Sequence, residues 1–375
     1  MANILILGGG FAGLVAAERL AEALDSEHQI TVVAPNRNFT FYPALVRLAF
    51  GGCEADDIKF DLGAKLKSLG VQYVQGEALR VNSTFRRVEI TGEYFSGSIG
   101  YDYLVIALGR RLATEKIPGF FEYSHHLLGT NAALKFGESV RSFQAGDIVV
   151  GSCPGARLPV PACETAFALA RKFENEMREG AVRIKIIFPE SLEDAFGGAN
   201  LREQLEAAFE RHGIEPFYNV RISELTPQEA VEKDGRSIKY DLLMLVPPFR
   251  GNAALRSLEA ADEEGFVKVD EFMRVKGLEK TYAAGDIVAF SGPKLAHMAV
   301  RQAETAAANI ISELKGEKPE KAYYHEIATI IDAGGADSIY LHYGIWDDTL
   351  YRLKKGKLWG WIKELHDRLW QAAHD

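Results

Sequence analysis

A short apolar run, Ile4-Leu5-Ile6-Leu7, passes directly into Gly8-Gly9-Gly10-Phe11-Ala12-Gly13, and then into a stretch with Leu14, Ala17, Leu20, Ala21 and Leu24 at helical spacing. Strand, GxGxxG and helix in that order predict a Rossmann-type βα unit whose helix N-terminus faces the pyrophosphate of a dinucleotide. Gly8 permits the tight turn, Gly10 lets the backbone approach the anion, and Gly13 lets the helix pack on the strand; Phe11 and Ala12 belong to the same cradle. The second strand, Gln29 to Val33, should end in an acidic residue that holds a ribose. Ala34-Pro35-Asn36 stands there instead, which leaves the ribose to Asn36 or to backbone.

At 375 residues the chain has room for two to three domains at about 150 residues each. A net charge of −9 excludes the basic footprint of a nucleic-acid binder. Cys53, Cys153 and Cys163 are too few for a disulfide framework. No segment is long and apolar enough to span a bilayer, and the N-terminus lacks a signal peptide, so a cytoplasmic location is expected. The nine histidines are scattered, and Cys153 and Cys163 lack ligand-like neighbours, so no metal is expected.

Two further segments narrow the cofactor. Tyr101 to Arg110 is a buried strand ending in a turn with Ala107, Gly109 and Arg110; Thr281 to Asp286 is another, closing on Gly285-Asp286. With the N-terminal motif they resemble the flavoprotein disulfide reductase superfamily. That resemblance implies FAD, with Asp286 hydrogen-bonded to the ribityl chain. A second strand-to-glycine segment, Asp147 to Gly155, is degraded: Gly151-Ser152-Cys153-Pro154-Gly155 replaces a second GxGxxG, and Pro159 and Pro161 follow. Proline has no N–H to offer a pyrophosphate, so a nicotinamide cofactor in the usual pose is not expected. A helix from Ala162, an amphipathic helix over 201–212, and strands over 182–188 and 240–246 complete this part.

Within that superfamily the chain resembles the sulfide:quinone oxidoreductase branch, with flavocytochrome c sulfide dehydrogenase and type II NADH dehydrogenases as relatives. The likeness rests on Pro247-Pro248-Phe249-Arg250-Gly251, Pro293-Lys294, Arg301-Gln302-Ala303, Ala308-Asn309-Ile310, and the loop Phe39-Thr40-Phe41-Tyr42-Pro43 over the flavin, with Gly51. It implies a quinone acceptor, a small-molecule electron donor, Glu164 as a proton relay and Lys294 as a cation for reduced flavin. The plain alternatives are a helix-surface glutamate near an N-terminus and a solvated lysine. The branch's catalytic cysteines correspond to vacant positions in Gly155-Ala156-Arg157-Leu158, in His126 to Thr130 and in Ala328 to Asp332. Without that pair the polysulfide mechanism is not expected. Cys153 and Cys163 are the remaining thiol candidates for catalysis, the alternative being inert buried side chains; Cys53 reads as structural.

Leu358, Trp361, Ile362, Leu365 and Leu369 fall at spacings of three and four, with Trp370 beside them, and six basic residues stand against three acidic ones over 350–375. A basic amphipathic helix with interfacial tryptophans reads as a membrane-surface anchor; a docked helix and a dimerisation helix are the alternatives. The expected architecture is α/β, with two Rossmann-like, doubly wound domains of FAD/NAD(P)-binding type and a C-terminal amphipathic tail. An FAD domain comes from residues 1–130 and 265–325, a second domain from 131–264, and a membrane-associating region from 326–375. The expected function is an FAD-dependent oxidoreductase passing electrons to a membrane quinone at the inner face of the membrane. The rivals are an NAD(P)H dehydrogenase and an electron-transfer subunit with a protein partner; a homo-oligomer is left open.

Overall fold

The computed structural model describes every residue except Asp348 and Asp375. The N-terminal run forms the strand Asn3–Leu7 at the centre of a five-stranded parallel sheet, in the order Thr281–Ala283, Tyr103–Ile106, Asn3–Leu7, Gln29–Ala34, Gln72–Gln75. Tyr103–Ile106 is buried at every residue. Strands covered on both faces read as continuous apolar runs, which is why the sequence marks them so clearly. The helix Phe11–Ala23 lies on this sheet and packs along the helix Ala296–Leu314.

A second, four-stranded parallel sheet has the order Ile214–Phe217, Val182–Ile187, Gly146–Ser152, Leu242–Val246. The helix after its Gly146–Ser152 strand spans Pro159–Lys172 and not from Ala162 as expected. Proline is tolerated in a first helical turn, because the N–H it lacks has no intrahelical partner there. The helix buries Phe167, whose ring stacks on Phe209 of the helix Arg202–Arg211 at 5.2 Å between centroids. The last part of the chain holds an element the sequence reading missed. An antiparallel sheet of Glu326–Ile331, Ile339–Gly344 and Tyr351–Lys355 precedes the helix Lys357–His374.

The strands of the first sheet all deliver their loops to one edge. There Gly8 N–H donates to the Val33 carbonyl at 2.8 Å, Ala107 N–H to Leu7 at 2.8 Å, and Ala284 N–H to Ile106 at 3.0 Å. Ligands of open α/β sheets bind at this carboxyl edge. The second sheet is tied to it by the short antiparallel pair Arg111–Leu112 with Phe249–Arg250 and by an Ala113 N–H to Pro248 carbonyl bond of 2.8 Å.

Replacing Phe167 with alanine opens a cavity between two helices and the second sheet; a loss of about 3–5 kcal/mol is expected in urea unfolding. A loss below about 1 kcal/mol would show that this ring is not part of a close-packed core.

Candidate flavin site

Gly10 caps the helix Phe11–Ala23 in an extended conformation, with no side-chain cap and no acidic residue in the first turn. The first amides of the helix are therefore left for an external anion. The glycines divide by what surrounds them. A methyl group on Gly8 would overlap the Ala107 carbonyl, and one on Gly13 the Gly8 carbonyl, whereas one on Gly10 would meet nothing within 4 Å. Gly8 also has φ +111°, a backbone that side chains resist. The outer glycines serve the packing, and Gly10 faces open space. Asn36 lies exposed at the end of the second strand, its carbonyl accepting from Tyr73 O–H at 3.0 Å. Sequence reading missed Tyr73, since only the pairing of Gln72–Gln75 with the second strand brings it there.

Gly285-Asp286 turns beside this cradle: a methyl on Gly285 would stand 3.0 Å from Ala12 Cβ. Gly285 N–H donates to Gln302 Oε1 at 2.8 Å, which gives Gln302 a positioning task. Asp286 pairs with Arg110, whose guanidinium lies 4.3 Å from the Phe249 ring centre. Arg110 Nε is buried without a partner, a donor still to be satisfied. Gly109, at φ +63°, opens onto space in the same loop, and Pro43 sits in the turn Tyr42–Ala44.

Lys294 is buried and not solvated, its ammonium donating to the Val288 carbonyl. Burial, with Arg157 and Arg110 adding repulsion, holds it well below the usual lysine range. It lines a pocket with Gly285, Asp286, Phe290, Ser291 and His325. The sequence reading passed over His325. Its Nε2–H donates to the Ser291 carbonyl at 2.9 Å, so Nδ1 accepts from Tyr323 O–H at 3.0 Å. Burial pulls its pKa down to about 4, so the ring is neutral.

Glu164 is 5% exposed, which excludes the helix-surface reading. One carboxylate oxygen accepts from the Asp332 N–H at 2.9 Å and from the Lys363 ammonium. Burial pushes the carboxyl up, and Lys363 opposes the shift. Cys153 and Cys163 are fully buried in separate hydrophobic clusters. Burial raises both thiols, which suppresses the thiolate that redox chemistry needs.

Lys363 belongs to the C-terminal helix, and that helix has two opposed faces. Inward, Lys363, Asp367, Trp370 and His374 follow one stripe. Trp370 sits among Phe11, Phe39 and Phe41 at centroid distances of 4.7, 5.5 and 5.3 Å, and His374 Nδ1 meets Glu18 at 2.6 Å. Outward, Leu358, Trp361, Leu365 and Leu369 are 57–79% exposed. The grouping of Trp370 with the outward apolar face is therefore corrected. Trp361 points out, Trp370 closes on the flavin-side loops, Trp359 stacks on Tyr340 at 4.5 Å, and Trp346 packs on Phe290 and His325. Among the described residues no helix is long and apolar enough to cross a membrane.

The sequence profile of the pyridine nucleotide-disulphide oxidoreductases matches residues 2–303. The chain belongs to that family. It is similar to the mitochondrial sulfide:quinone oxidoreductase of Mus musculus, 25% identical over 339 residues, covering 86% of this chain and 73% of that protein. To a type II NADH:quinone oxidoreductase of Staphylococcus aureus it is 23% identical over 378 residues, covering 91% and 90%. The solved sulfide:quinone oxidoreductase of Aquifex aeolicus superposes with a TM-score of 0.91 at 22% identity, over 99% of this chain and 91% of that one. The last likeness establishes the two-Rossmann fold.

As a pyridine nucleotide-disulphide oxidoreductase of this type, the protein is an FAD-dependent oxidoreductase. Its residues fit the cofactor: the open face of Gly10, the uncapped helix N-terminus and the unpaired Arg110 Nε are donors and space waiting for an anionic, polar ligand. FAD there would accept and release two electrons.

Gly10→Ala should leave the melting temperature of the apoprotein unchanged and lower bound FAD, whereas Gly13→Ala should lower the melting temperature itself, because a methyl there strikes backbone. Equal thermal effects of the two would contradict this division. A second expectation follows from His325, neutral when folded and free to take a proton once unfolded. Its contribution is complete above about pH 6.5 and falls by about 2–3 kcal/mol as pH drops toward 4.5. His325→Gln should flatten that part of the stability–pH curve, read by urea unfolding; parallel curves would exclude His325 as its source.

Proposed function

We propose that the protein takes electrons from a small soluble donor at its FAD and delivers them to a quinone from a membrane surface. The observation that carries this reading is the C-terminal helix, with Lys363, Asp367 and His374 turned into the protein and Leu358, Trp361, Leu365 and Leu369 turned out beside the exposed Glu364 and Arg368. An ordinary surface helix has the reverse polarity. Covering such side chains is worth about 1.5–3 kcal/mol each, and a bilayer interface provides that cover. Arg352, Lys354, Lys355 and Lys357 precede or open the helix, and basic side chains near an anionic leaflet contribute about 1 kcal/mol each. The same helix lies over Phe11, Phe39 and Phe41, so an acceptor dissolved in lipid comes close to the flavin loops. Both relatives named above carry quinone in their names.

Quinone reduction consumes two protons with two electrons. Glu164 is the relay we assign: it is buried, burial raises its carboxyl, and Lys363 on its carboxylate oxygen opposes that shift. Lys294, with its ammonium on the Val288 carbonyl, is placed to answer charge at the pocket beside Asp286. Two features argue about the donor. The helix Pro159–Lys172 begins on proline and has a second proline two residues on, which removes amides that would cradle a nicotinamide dinucleotide. The buried thiols of Cys153 and Cys163 argue against a cysteine-polysulfide route.

Anaerobic reduction of the FAD-loaded protein by sulfide, low-molecular-weight thiols, NADH and NADPH, followed by reoxidation with a quinone, tests the reading. Rapid bleaching by micromolar NADH would instead make it an NAD(P)H dehydrogenase, and failure of quinone to reoxidise the flavin would exclude the acceptor. Changing both Leu365 and Leu369 to aspartate should abolish co-sedimentation with anionic vesicles while leaving turnover with a water-soluble quinone. Retained co-sedimentation would remove the helix from membrane binding.

A further inference from the structure

Arg157 stands in the loop between the strand Gly146–Ser152 and the helix Pro159–Lys172, and its side chain leaves that loop for the first sheet's side of the molecule. Its Nε donates to the Gly292 carbonyl at 2.7 Å and a terminal nitrogen donates to the Phe290 carbonyl. In return the Arg157 carbonyl accepts from Lys294 N–H at 2.7 Å. The guanidinium is thus fastened to the carbonyls on either side of Ser291, in the loop that lines the pocket with Asp286 and Lys294.

The charges around this loop do not balance locally. Asp286 is taken by Arg110. The acceptors of Arg157 are neutral carbonyls, and Asp262 and Glu190 reach it only through the longer-range field. Lys294 lies close by, its Nζ on the Val288 carbonyl, and burial and Arg157 both hold it below the usual lysine range. A guanidinium keeps its proton throughout the neutral range. Of the two guanidiniums near this pocket, Arg110 sits on the Asp286 carboxylate and Arg157, behind the pocket loop, contacts only carbonyls.

We infer that Arg157 is a positioning and charge-setting residue for the flavin, its fixed cation beside Lys294 favouring the reduced over the oxidised cofactor. Two electrons and one proton entering FAD leave a net negative charge on the ring, and the donor loses the two electrons. A fixed cation nearby stabilises that product selectively. The inference concerns the flavin and is independent of the donor and of the quinone.

The test is the reduction potential of FAD-loaded wild type, Arg157→Gln and Arg157→Lys, each equilibrated anaerobically with reference dyes. Glutamine keeps an amide to reach the carbonyls and drops the charge; lysine keeps the charge and loses the fork. Arg157→Gln should lower the reduced-to-oxidised ratio about tenfold at a given ambient potential, about 30 mV for a two-electron couple. Arg157→Lys should remain near wild type. Equal shifts in both variants, or none in either, would reduce Arg157 to a loop fastener. Should Arg157→Gln not retain FAD while Arg157→Lys does, the apoprotein decides. An unchanged melting temperature places the charge effect on the cofactor, and a lowered one overturns the inference.

Discussion

Gly8, Gly13 and Ala107 approach so closely that two chain segments and a helix meet with no side chain between them. Everything at the carboxyl edge of the first sheet hangs on that contact. It brings the helix Phe11–Ala23 down onto the strand, so that its N-terminal amides point outward at Gly10, and it sets the distance at which the Gly285-Asp286 turn can lie against Ala12. A chain can place a pyrophosphate and a polar tether this near each other only where backbone packs on backbone.

Around this apolar contact the molecule buries several charges, and it handles each differently. Glu164 receives a backbone amide and an ammonium. Asp286 receives a guanidinium. Lys294 has a carbonyl only, and burial holds it well below the usual lysine range, and His325 stays neutral between a hydroxyl and a carbonyl. Unpaired burial is costly enough that groups left so are expected to answer to a ligand. Arg110 Nε remains buried without a partner beside Asp286.

The glycine motif, the Gly-Asp turn and the apolar strands were legible because each reflects a local rule: buried parallel strands must be continuously apolar, and tight backbone approaches demand glycine. The helical period of the tail was legible for the same reason. Its orientation was not, since spacing identifies a stripe without saying which stripe the body attracts. Trp370 turned inward because Phe11, Phe39 and Phe41, remote in sequence, offer an aromatic socket. Glu164 could be singled out, but its partner lies 199 residues away. His325 gave no signal at all, as its bond to the Ser291 carbonyl joins segments whose proximity only the fold creates. The strands Glu326–Ile331 and Tyr351–Lys355 are only partly buried and alternate weakly, so no period marked them.

The first sheet takes its outer strand, Thr281–Ala283, from far beyond the second sheet, and the loops beside Gly10 receive Trp370 later still. Such long-range pairings form slowly, because the intervening chain must be closed into a loop before any contact rewards it. The glycine loop is made long before Thr281–Ala283 and Trp370, so the binding edge around Gly10 is complete only once the far C-terminal segments have been made.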